Sequence, residues 1–105
     1  MRKIDLTPYQ IEVGEPGNTR KIPYDVKKSL SMVLYSPELK LTARELLDND
    51  ILARKIESAD GSILLEESEY DRVSRAIDSV HGFDKQDVEL VRRVVESKEI
   101  KVKEA

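Results

Sequence analysis

The sequence predicts an α+β fold, mainly helical, in which an N-terminal β-hairpin packs on about four helices and the C-terminal stretch can add a short strand. Three observations predict it. Ile4, Leu6, Ile11 and Val13 alternate with polar residues, the period of a half-buried strand, and the turn formers Gly14-Glu15-Pro16-Gly17-Asn18 follow them. From Tyr24 onward the large apolar residues recur at three- and four-residue spacing instead. Breaks in that spacing fall at Ser36-Pro37, Asp60-Gly61 and His81-Gly82, where proline or glycine ends a helix.

The chain has 105 residues, the length of one domain. It divides into a hairpin over 1–22, a helical body over 23–97 and a tail or edge strand over 98–105. Pro8 interrupts the first strand or places it at an edge. A long loop at Gly14–Asn18 then leads to Thr19-Arg20-Lys21-Ile22. Such a ribbon is marginal in water alone, so it must pack on helices or gain a strand.

The first helix is expected from Tyr24 to Tyr35, with Pro23 near its first turn, where a missing N–H costs little. Val26, Leu30, Val33 and Leu34 form its apolar face. Thr42-Ala43-Arg44-Glu45 matches a capping box and opens the second helix. Leu46, Leu47, Ile51, Leu52 and Ile56 supply its apolar stripe, and one helix is favoured over two, although Asn49-Asp50 could divide it. Ser62 to Leu65 reads equally as strand or buried linker. The third helix runs from Glu67 to Val80, closed by His81-Gly82, with Phe83 plugging the core at that corner. The fourth starts at Asp84, whose carboxylate caps it, and runs to Ser97. Its stripe of Val88, Val91 and Val95, with Leu90 and Val94 beside it, is wide enough to meet two neighbours or a partner chain. Glu99-Ile100-Lys101-Val102-Lys103 alternates again, as an edge strand or a frayed end.

Composition removes several function classes. There is no cysteine, so disulfides, thiol catalysis and thiolate zinc sites are absent, and a reducing cytoplasm is the compatible location. Met1-Arg2-Lys3-Ile4-Asp5 has no apolar run behind it, so no signal peptide is expected, and no stretch approaches a membrane span. Net charge is −3, and the acids gather after Lys40, which disfavours nucleic acid as a partner. The residues that would serve that alternative are Arg44, Arg54 and Lys55 on the second helix and Arg92-Arg93 on the fourth. Asp48, Asp50, Glu57 and Asp60 lie in the first stretch and Glu89, Glu96 and Glu99 interleave the second, so ion-paired helix faces are the better reading.

Candidate chemistry is sparse. His81, the one histidine, sits at a helix end and has no serine or cysteine nucleophile in a recognisable motif. The acidic run Glu66-Glu67-Ser68-Glu69-Tyr70-Asp71 lacks the ligand spacing and central glycine of a calcium loop, and acids suit the first turn of a helix anyway. Gly14-Glu15-Pro16-Gly17 lacks the lysine-threonine ending of a phosphate loop and reads as a turn. No catalytic residue, metal ligand or cofactor site is assigned, and no small-molecule substrate is expected.

Ile22-Pro23-Tyr24-Asp25-Val26-Lys27, Ser58-Ala59-Asp60-Gly61, Leu64-Leu65-Glu66-Glu67-Ser68-Glu69-Tyr70 and Gly82-Phe83-Asp84 leading into Asp87-Val88-Glu89-Leu90-Val91-Arg92-Arg93-Val94 together cover much of the chain. In these stretches it resembles small accessory proteins encoded by tailed phages and prophages, a group largely without assigned activity. The resemblance implies a virus-encoded protein acting in the bacterial cytoplasm and carries over no catalytic residue. The function expected is therefore a non-catalytic protein-interaction module for virion assembly or host modulation. Its expected contacts, to itself or another protein, are Leu90, Val94 and Val95, with Ile100 and Val102 as a strand-addition element.

Overall fold

The computed structural model describes residues 1–100. In order, β1 spans Arg2–Asp5, β2 Tyr9–Glu15, β3 Asn18–Tyr24, α1 Val26–Leu34, α2 Ala43–Ser58, β4 Ser62–Leu65, α3 Glu67–Ser79, α4 Val88–Val95 and β5 Lys98–Glu99. The strands form two separate antiparallel sheets, one ordered β4-β1-β5 and the other the β2-β3 ribbon. The fold is α+β, mainly helical, as the periodicities predict.

β1 and β2 belong to different sheets because the chain turns between them. The Asp5 carboxylate accepts from the Thr7 backbone N–H at 2.9 Å and from its hydroxyl at 2.7 Å, and Pro8 follows. Ile4 and Leu6 face the core, while Ile4 lies opposite Ile63 of β4 and Lys3 opposite Lys98 of β5. Ser62–Leu65 is thus a true strand, with Ile63 and Leu65 buried by the period of two.

The hairpin turn is tighter than the long loop expected from its composition. Glu15 pairs with Asn18, so only Pro16-Gly17 lies between the strands, and Gly17 adopts a φ of +85°. At the other end Tyr9 stacks on Tyr24, ring centroids 4.6 Å apart. Tyr9 Oη donates to the Gln86 carbonyl at 2.7 Å and Tyr24 Oη to Asp87 Oδ1 at 2.5 Å, which fastens the ribbon to the helical body.

Pro23 belongs to β3, not to the first turn of α1. The ribbon has only two strands, so an N–H missing there leaves no neighbour unpaired. Asp25 instead caps α1, accepting from the Lys28 N–H at 3.0 Å. Ser36-Pro37 ends that helix and opens a 3-10 turn over Pro37–Leu39. The capping box of α2 is formed on both sides: Thr42 Oγ1 accepts from Glu45 N at 3.2 Å and Glu45 Oε1 from Thr42 N at 3.0 Å. α2 runs unbroken through Asn49-Asp50.

Asp84 caps as expected, but the cap opens a 3-10 turn over Lys85–Asp87, and α4 proper is only the eight residues Val88–Val95. Gly82, at φ +93°, lies three residues beyond the end of α3 and so turns the connecting segment without capping the helix. Phe83 is half-buried against the core. That core joins Ile4 and Leu6, Leu30 and Leu34 of α1, Leu52 and Ile56 of α2, Leu65 of β4, Val73 and Ile77 of α3, and Leu90 and Val94 of α4. Each such large side chain contributes about 2 kcal/mol of transfer free energy when fully buried.

Candidate protein-interaction surface

α4 splits its apolar stripe between inside and outside. Leu90 and Val94, expected as partner contacts, are both 0% exposed and belong to the core. They lie on the side of α4 that meets β1 and α3, and Tyr70 Oη of α3 donates to the Val94 carbonyl at 2.8 Å. Val95 is 60% exposed, and Val88, not expected as a contact, is 50% exposed on the same outer side. Ile100 is half-buried, its N–H donating to the Met1 carbonyl at 2.6 Å, so it extends the edge of the β4-β1-β5 sheet. Val102 lies outside the described residues.

The larger apolar surface is elsewhere. Leu47 and Ile51 of α2 are 64% and 66% exposed, and Leu46 beside them is 46% exposed. Asn49, Leu52, Ala53 and Ile56 are the residues that α2 buries. At 100° per residue, Leu47 and Ile51 stand more than about 90° from Leu52 and Ile56, so they point to solvent. α1 lies along α2 and adds exposed Met32 and Tyr35, the latter tied to α2 by a hydrogen bond from its hydroxyl to Asp50. That bond holds the Tyr35 phenol above, and the Asp50 carboxyl below, its ordinary pKa. The signal was in the sequence: five large residues over Leu46–Ile56 span a wider arc than one core-facing stripe can.

Met32 and Tyr35 also border an open groove of about 680 Å³, which Val33, Val80 and Phe83 line with them. Tyr24 and Asp87 meet there. Burial and the Asp87 carboxylate push the Tyr24 phenol well above its ordinary value, so it stays protonated and donates. Asp87 Oδ2 accepts from Asp84 N at 2.8 Å, so both carboxylate oxygens are used in holding the turn.

The basic residues of the nucleic-acid alternative are largely engaged. Arg54 Nε reaches Asp50 at 3.0 Å, Lys55 Nζ reaches Glu69 at 3.0 Å and Arg92 reaches Glu89 at 3.7 Å. Arg93 is a structural clasp. Its side chain is 15% exposed, lies over the Tyr9 ring and donates to the Thr7 carbonyl at 2.6 Å and the Asp5 carbonyl at 3.3 Å. Arg44 is exposed. The acidic run opening α3 disperses its carboxylates: Glu67 pairs with Arg2 at 3.4 Å, while Glu69 turns to Lys55 and to the Glu66 N–H. His81 is 88% exposed, with Nδ1 3.5 Å from Glu38. Among the described residues no helix is long and apolar enough to cross a membrane.

No family model matches the chain, nor does any curated protein or solved structure.

Proposed function

We propose that the protein is a non-catalytic protein-binding module that meets its partner through the outer face of α1 and α2. One observation carries this reading. Of the eight large apolar side chains exposed among the described residues, five (Met32, Tyr35, Leu46, Leu47 and Ile51) gather on this one helix pair. Apolar side chains clustered in water mark interaction sites, whereas single ones need no explanation. Val88 and Val95 on α4 make a second, smaller surface. An accessory role in the bacterial cytoplasm, in phage assembly or in modulating a host protein, is the setting that the resemblance of its motifs to small tailed-phage proteins supports.

Site-specific photo-crosslinking tests the reading. A benzophenone amino acid replaces Leu47 in one variant and the exposed Asp78 of α3 in another, each produced in the native cell. A discrete protein adduct from position 47 and none from position 78 is expected. Adducts from neither position, with both variants folded, overturn the reading.

A further inference from the structure

Resting on that docking face, we infer that the outer seam of α2 receives an acidic amphipathic helix of a different protein. Arg44, Leu47, Ile51 and Arg54 follow one another at spacings of three, four and three residues, the repeat that lines one side of a helix. They make a seam with a basic residue at each end and two apolar residues in the middle. Leu47 and Ile51 are 64% and 66% exposed, and the Arg54 side chain is 76% exposed even while its Nε reaches Asp50 one turn away. Arg44 is exposed and forms no ion pair among the described residues. The matching surface is a helix with two apolar residues at the same spacing, closed at each end by a carboxylate.

The charge order selects among occupants. A second copy laid antiparallel, with Leu47 on Ile51, would set Arg44 against Arg54 at both ends. Laid parallel, it would set Arg44 on Arg44 and Arg54 on Arg54. Either arrangement brings like charges together, so the seam is built against self-pairing. Nucleic acid fits no better. The centre of the seam is apolar, where a phosphate backbone offers nothing to bury. A helix carrying glutamates or aspartates outside an apolar pair satisfies the ends and the middle together.

Two synthetic helical peptides test this. Both carry leucines spaced to meet Leu47 and Ile51; one places Glu, the other Lys, opposite Arg44 and Arg54. Fluorescence anisotropy at low salt is expected to show the Glu peptide binding about tenfold more tightly than the Lys peptide, the yield of two exposed charge pairs. The doubly reversed variant Arg44→Glu/Arg54→Glu should invert that preference. Leu47→Ser/Ile51→Ser should abolish binding of both peptides while circular dichroism stays unchanged, since both positions lie in water. Equal binding of the two peptides, abolished by the serine variant, overturns the acidic assignment and leaves the docking face standing. No binding of the Glu peptide to the wild-type chain overturns it as well. So does a dimer in sedimentation equilibrium that the serine variant abolishes, or an oligonucleotide shift that the charge-reversed variant abolishes.

Discussion

The carboxamide of Asn49 donates to the main-chain carbonyl of Leu34 at 2.9 Å, inside the protein. Leu34 is the last residue of α1, so its carbonyl has no partner within that helix, and Asn49 in the middle of α2 supplies one. A polar residue at 3% exposure in a helix interior is thus a cap delivered from a neighbouring helix, and it fixes how α1 lies on α2. The proposed docking face inherits its shape from that contact.

Asn49→Ala should therefore lower the free energy of unfolding by about 1–3 kcal/mol, because it leaves a buried carbonyl unpaired. Asn49→Asp should cost more, since a carboxylate offers no donor and turns an acceptor toward an acceptor. Leu47→Ala, two residues away but in water, should stay within about 0.5 kcal/mol of wild type. Urea unfolding of the three variants checks the order. An Asn49→Ala variant as stable as wild type would mean that the cap contributes nothing.

Gly14 should be far less replaceable than Gly17, although both lie at the hairpin turn. A Cβ at Gly14 would stand 2.5 Å from the Asn18 carbonyl oxygen, and the backbone there has a φ of +117°. The oxygen is main chain and cannot swing aside. At Gly17, φ is +85° but the space is open, so only the backbone cost applies. Gly14→Ala is expected to destabilise the ribbon by about 2 kcal/mol or more and Gly17→Ala by about 1 kcal/mol. Amide exchange at Ile11 and Ile22, which lie opposite each other in the ribbon, reads this locally. Equal loss of protection in the two variants would remove the steric part of the account.

What was legible in the sequence were signals confined to a few neighbouring residues. Thr42 and Glu45 cap α2 because that geometry needs only one turn of chain, and Pro37 stops α1 for the same reason. Asp84 also caps, yet its helix begins as a 3-10 turn, whose last residue, Asp87, is bonded to Tyr24 of another element. Partnerships across the fold were not legible. Nothing around Ile4 announces that it will pair with Ile63 and leave the hairpin to Tyr9 and Tyr24. Pro23 suits a helix start and an edge strand equally well, and the second strand of the ribbon decided between them. The burial of Leu90 and Val94 was illegible for a related reason. A wide apolar stripe says that something will cover it without saying which half. On α4 the fold itself took Leu90 and Val94, while on α2 it left Leu47 and Ile51 outside.

Stability should fall on the acid side, and the capping box of α2 should account for part of the slope. The Thr42 N–H and hydroxyl beside Glu45 hold its carboxyl below the usual carboxylate range, and the Thr7 hydroxyl and N–H do the same for Asp5. A carboxyl whose folded pKa is depressed binds its proton more readily in the unfolded chain. Its stabilisation is thus fully present above the unfolded value, near about pH 4, and is lost as pH falls through the lower folded value. Glu45→Gln keeps an oxygen that can accept from the Thr42 N–H and removes the charge. Its melting temperature should lie below wild type at neutral pH, and the gap should close as the pH drops toward the folded pKa of Glu45. The variant keeps a shallower acid slope, because Asp5 and Asp50 titrate as before. Thermal unfolding of both proteins in a series of buffers from neutral to acid reads this directly. Two curves running parallel throughout would show that the charge on Glu45 plays no part in capping α2.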